Sequence, residues 1–138
     1  MVAGYATVSG AAQATIWNGL TATHLGMLGG GSSYAYGIDT LGDAVGSSFN
    51  TTGAAFLYKS GSLTNLNTLI PAGSGWNLTA AYAINDSGLI TGEGRINGVT
   101  HAYLLRPNAA NTPAPSSALV LALGLAGLGA GLRRRAQK

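Results

Sequence analysis

The sequence predicts an all-β chain of short antiparallel strands, and three observations predict it. A strand-turn-strand pattern recurs within the chain, from Ala35 to Gly46 and again from Ala81 to Gly92. Both copies alternate large apolar with small residues, the period of a strand with one packed face. The composition agrees. Charged residues are 8% of the chain and there are 22 glycines, which suits tight turns and suits helices poorly. No stretch before Ser117 has helical periodicity.

The two copies lie about 46 residues apart. Each reads Ala-Tyr-small-Ile, then an Asx-containing turn, then a strand that reaches a glycine. Tyr36-Gly37-Ile38 and Tyr82-Ala83-Ile84 are the first strands, and the turns are Asp39 to Gly42 and Asn85 to Gly88. In those turns the Asx side chain can bond nearby backbone and the glycine can take positive φ. The next strands run over 43–49 and 89–95. Gly53 and Gly98 mark hairpin turns into further strands over 54–59 and 99–106. Shorter strands are expected over 63–66 and 21–25, and Gly29 to Ser33 reads as a surface loop. A third, earlier copy is incomplete, with Gly4 standing where Gly46 and Gly92 stand and Ala14 to Trp17 matching Ala55 to Tyr58.

These residues resemble the HAF extracellular repeats. His101-Ala102-Tyr103-Leu104 is similar to the strand that opens the family's unit. Leu25-Gly26-Met27-Leu28-Gly29-Gly30 is similar to its middle, and Ala83-Ile84-Asn85-Asp86-Ser87-Gly88 to its end. Other copies depart from the pattern: Ala14 and Ala55 are not preceded by histidine, and Leu66 to Pro71 has no double glycine. The resemblance covers most of Val2 to Pro107 and implies propeller-like blades, one sheet per unit, from about two and a half repeats. A closed propeller takes roughly four to eight blades. No leader of basic, apolar and small residues opens the chain, so the chain is expected to be the C-terminal part of a longer exported protein.

Residues 108–117 are a linker rich in Ala, Asn, Pro and Ser, and 118–138 a tail. The tail's apolar run, Ala118 to Leu132, spans about 15 residues, or roughly 22 Å as a helix against a hydrocarbon core of about 30 Å. A transmembrane-type helix engaging a membrane through 118–132 is expected, with the basic cluster Arg133, Arg134 and Arg135 on the cytoplasmic side. Pro113, Ala114, Pro115 and Ser116, followed by this helix and these arginines, resemble the PEP-CTERM sorting signal of Gram-negative bacteria. That family's motif is usually Pro-Glu-Pro, and Ala114 replaces the glutamate. The resemblance implies processing by an exosortase-type enzyme, transient membrane anchoring, then a cell-surface or extracellular location, often alongside exopolysaccharide.

Charge and chemistry narrow the function classes. The net charge is +3, but Arg133, Arg134, Arg135 and Lys138 supply four of the seven bases. The rest of the chain has only Lys59, Arg95 and Arg106 against Asp39, Asp43, Asp86 and Glu93, too few bases to neutralise a row of phosphates. No nucleic-acid partner is expected. The chain has no cysteine, and its two histidines, His24 and His101, have no carboxylate or imidazole partners evident at ligand spacing. No serine sits in a Gly-x-Ser-x-Gly elbow, and the glycine-rich stretches lack the lysine of a phosphate loop. No catalytic, cofactor or metal residues are assigned. Tyr5, Tyr34, Tyr36, Tyr58, Tyr82, Tyr103, Trp17 and Trp76 could form a sugar-stacking surface, but they recur at repeat positions, where packing is their first role, and Trp17 and Trp76 are kept as weak candidates for glycan contact. The expected function is that of a non-enzymatic exported surface or matrix repeat protein. The alternative is a glycan-binding or glycan-processing β-propeller whose site lies in further blades.

Overall fold

Among the described residues, eleven strands and one short 3-10 turn make three sheets, in each of which strands consecutive in sequence lie side by side. The structure, a computed structural model, describes residues 1–107 and 120–123. The first sheet holds β1 (Val2–Val8), β2 (Ala11–Asn18) and β3 (Thr21–Gly26). The second holds β4 (Ser32–Ile38), β5 (Ala44–Phe49), β6 (Gly53–Lys59) and β7 (Ser62–Asn65), followed by the 3-10 turn Leu66–Thr68. The third holds β8 (Trp76–Ile84), β9 (Ile90–Ile96), β10 (Val99–Pro107) and β11 (Val120–Leu123). All pairings are antiparallel except β10 with β11, which is parallel. The described residues are therefore all-β, as the repeat pattern predicts.

Local chemistry sets the connections. Ser60-Gly61 and Asn97-Gly98 close two-residue hairpins with both φ values positive, 52° and 82° in the first and 52° and 77° in the second. That twist matches the strands on either side. The Asx turns repeat atom for atom. Asp39 Oδ1 accepts from the backbone N–H groups of Leu41 and Asp43, and Asn85 Oδ1 accepts from those of Ser87 and Leu89. An amide and a carboxylate do the same work because only a carbonyl-type acceptor is needed.

The second sheet is the middle layer, and its alternation feeds two cores. Ala44 and Phe56 face the first sheet, packing with Ala14, Leu25 and Ala35. Val45 and Ala55 face the third, packing with Leu66, Leu78, Ala81, Ile90, Tyr103 and Leu105. Five of the six residues of β5 are buried, as period-two geometry requires of a strand covered on both faces. Its small residues keep the layers close. Hydroxyl groups tie the layers together: Ser33 Oγ accepts from Ala14 N–H and donates to Gly26 O, at 2.8 and 2.6 Å, and Ser47 Oγ donates to Thr79 O at 2.7 Å.

Three expectations are corrected. Ser32 and Ser33 belong to β4 rather than to a surface loop, and Ser33 is fully buried; its hydroxyl is satisfied by the neighbouring sheet, which composition alone does not reveal. Gly53 does not turn the hairpin but opens β6 opposite Phe49, the turn falling on Asn50 to Thr52. In the apolar tail, Val120–Leu123 is a strand rather than helix, pairing with Leu104–Pro107. A run of Val, Leu and Ala fits either state, and the outer edge of β10 offers it a ladder. The rest of the tail expected as helix lies outside the described residues. Among the described residues, no helix is long and apolar enough to cross a membrane, and the three sheets do not close into a ring.

Candidate functional site

Two surface features involve more than one sheet, a row of aromatic rings and a cleft between turns. The row begins at Tyr5 on β1, whose ring meets Tyr34 edge-on at 4.9 Å between centroids. Tyr34 and Tyr36 lie two residues apart on β4 with rings nearly parallel at 6.5 Å. Tyr36 reaches Tyr82 on β8 at 5.5 Å, and Phe49 flanks Tyr34 at 6.0 Å. All three sheets contribute. Tyr5, Tyr36 and Tyr82 are 57%, 45% and 46% exposed, so the row presents aromatic surface to solvent.

Sequence places the row through one small residue. A Cβ at Gly37 would come within 2.9 Å of Tyr82 O and 3.0 Å of Ala83 Cα. Without it, β4 and β8 approach closely and bring the equivalent tyrosines Tyr36 and Tyr82 side by side. Both phenols are pushed above the usual tyrosine range. Partial burial is the main cause in each, joined by the Tyr34 phenol for Tyr36 and by the Glu93 carboxylate for Tyr82. The two rings therefore stay neutral at ordinary pH, with hydroxyl groups that can donate as well as accept.

The cleft, about 690 Å³ in volume, opens where the β4–β5 and β8–β9 turns meet and includes Ile38, Asp39, Thr40, Asn85, Asp86 and Met1 in its lining. Its carboxylates serve the backbone. Asp39 holds its own turn, while Asp86 Oδ1 accepts from Thr40 N–H of the preceding unit at 2.9 Å. That bond holds the Asp86 carboxyl below the usual carboxylate range. A depressed folded-state pKa contributes stability that is present above the unfolded value and is lost as pH falls through the folded one. Asp86→Asn is expected to keep the acceptor yet remove this acid dependence. Thermal melts of both proteins across the acid range check it: the difference between them should change only at low pH.

The remaining candidates are separated in space and occupied locally. Trp17, half-buried on β2, leans on Gly4 with its ring 3.2 Å from where a Cβ would stand. Trp76, half-buried on β8, packs on the second core and meets His101 and Tyr103 edge-on at 6.3 and 6.5 Å. Neither tryptophan joins the aromatic row. His24 Nδ1 lies 3.0 Å from Thr15 Oγ1. Lys59 pairs with Asp43. Among the described residues no group of three or more His, Asp or Glu is placed to hold a metal ion. Pro113, Ala114, Pro115, Ser116, Arg133, Arg134 and Arg135 lie outside the described residues. Sequence names these tyrosines among the aromatics able to stack on sugars but does not bring them into one row, for which the Tyr36 and Tyr82 equivalence and Gly37 were the signals.

Compared with known proteins, the chain matches no family model, no curated protein and no solved structure.

Proposed function

We propose that the protein is a non-enzymatic, exported surface or matrix repeat protein whose sheets are propeller-like blades, delivered by a PEP-CTERM-like sorting tail. The observation that carries the reading is the stacking of equivalent sheets through repeated Asx turns and hydroxyl bridges. Such an array builds extended surface from one repeated unit rather than a single catalytic cleft. In this reading residues 118–132 engage the membrane until an exosortase-type enzyme acts near Pro113 to Ser116, and Arg133 to Arg135 remain on the cytoplasmic side. The test is a reporter fused to residues 108–138 in a Gram-negative host with and without an exosortase. Release of the reporter from the membrane only when the enzyme is present is the expected result. Equal release in both hosts, or none in either, would sink the sorting role.

A second reading, glycan binding, is favoured by the aromatic row. Neutral exposed rings suit the apolar faces of pyranoses, and their hydroxyls suit sugar hydroxyls. Retardation of the protein by exopolysaccharide in affinity electrophoresis should then fall several-fold in Tyr36→Ala and Tyr82→Ala, while Trp76→Ala tests the half-buried ring away from the row. Unchanged retardation in both tyrosine variants removes the row from consideration.

A further inference from the structure

The third sheet closes its outer edge in a way the other two do not. Register makes Thr15, Phe56 and Tyr103 equivalent, each lying opposite the glycine of its unit, Gly4, Gly46 or Gly92. Further along by the same step, Gly19 and Ser60 stand at the first position of the turns that carry the chain from β2 into β3 and from β6 into β7. Both have positive φ, 61° and 52°, which lets the next strand fold straight back onto the edge. The equivalent residue after β10's last turn-facing position is Pro107. Its ring fixes φ at about −65°, so no such turn forms there and the chain cannot take the course of β3 and β7.

The edge is filled nevertheless. Val120–Leu123 pairs in parallel with Leu104–Pro107, a stretch that overlaps the equivalents of those β7 covers on β6 and β3 covers on β2. A parallel neighbour needs a connection of about a dozen or more residues, and residues 108–119 supply that length. The strand comes from the apolar run 118–132 that a sorting tail places in the membrane. The two places exclude each other. In hydrocarbon the backbone N–H and C=O groups of a lone inserted segment must be bonded within that segment, whereas β11 shares its main chain with β10.

We propose that β11 is a latch: the chain stores its apolar tail as the fourth strand of the third sheet, and membrane engagement releases that strand from β10. The proposal rests on the reading of 108–138 as a sorting tail and adds how the tail is held before it is used. Pro107 keeps the edge clear of a hairpin strand, and β11 covers an edge that would otherwise pair with other chains. The hold is short, four residues, so burial of the longer apolar run in a membrane outweighs it. Insertion of the tail therefore bares the outer edge of β10.

Hydrogen exchange of the full chain, in detergent-free buffer and again with vesicles of phosphatidylethanolamine and phosphatidylglycerol, reads the latch directly. In buffer the amides of Leu104 to Arg106 that are not bonded to β9 should be protected, and vesicles should speed their exchange at least about tenfold while those bonded to β9 stay protected. A reporter carrying only residues 108–138, which has no β10 to hold its tail, should bind the same vesicles several-fold more tightly than the full chain. Pro107→Asn combined with Asn108→Gly installs the turn found at Asn97-Gly98 and lets residues 109–112 take the edge in the manner of β7. This double variant should bind vesicles as the reporter does and keep its β10 protection when they are present. A reporter that does not bind overturns the sorting reading and the latch together. A reporter that binds, with β10 unprotected in buffer or its protection unchanged by vesicles, overturns the latch alone, whether or not the double variant folds.

Discussion

Gly92→Ala is expected to destabilise the protein by about 3 kcal/mol, at the upper end of what overpacking by one methyl costs. The added Cβ would run into the carbonyl oxygen of Ala80 and the phenol of Tyr103. Neither can step aside. The carbonyl belongs to the bulge of β8, and the Tyr103 hydroxyl is fixed by donating to that same Ala80 oxygen at 2.7 Å. Gly46→Ala meets the same obstacle from Tyr34, with Phe56 Cζ at 2.8 Å and Ala35 Cα at 2.9 Å. The control is Gly61→Ala. There φ is 82° and no atom lies near, so only the left-handed backbone penalty of about 1 kcal/mol applies. Urea titration of the three variants should rank Gly46 and Gly92 well below Gly61. Similar midpoints for all three would refute steric placement of the glycines.

Phe56→Ala should cost about 3–5 kcal/mol, the range for removing a buried aromatic ring from a core. Phe56 is fully buried between the first and second sheets and packs with Ala14, Ala35 and Ala44. Three of the four buried cluster neighbours are alanines, which cannot reach inward to fill the cavity. Against a total stability of about 5–15 kcal/mol for a domain, a loss of that size removes a large share of the margin. Phe49→Ala, at a site 40% exposed, should cost about 1 kcal/mol. Thermal melts comparing the two variants provide the check, and a Phe56 variant as stable as the Phe49 variant would refute the core assignment.

The strands and their turns were legible because period-two alternation and Asx-Gly chemistry are local. Tyr36 to Gly46 and Tyr82 to Gly92 could be aligned from sequence, and both became strand, turn and strand. What sequence could not supply was the neighbour of each strand. Ser33 looked like loop material until the backbone of Ala14 and Gly26 was seen to surround its hydroxyl. The aromatic row was hidden for the same reason: Tyr5, Tyr34 and Tyr82 come from different sheets, and only the close approach at Gly37 makes the last two neighbours through Tyr36. Trp17 and Trp76 stood out by size, yet their rings lie against Gly4 and against His101 and Tyr103. Val120–Leu123 shows the limit of hydropathy, since a short apolar run suits an edge strand as readily as a helix.

The middle sheet, because Val45 and Ala55 face one core while Ala44 and Phe56 face the other, gives the molecule a shared wall. Loss of either outer sheet bares one side of that wall, and neither half of the protein can melt while the other keeps its full strength. A repeat chain that on paper could fray one unit at a time is in this way bound into a single cooperative block.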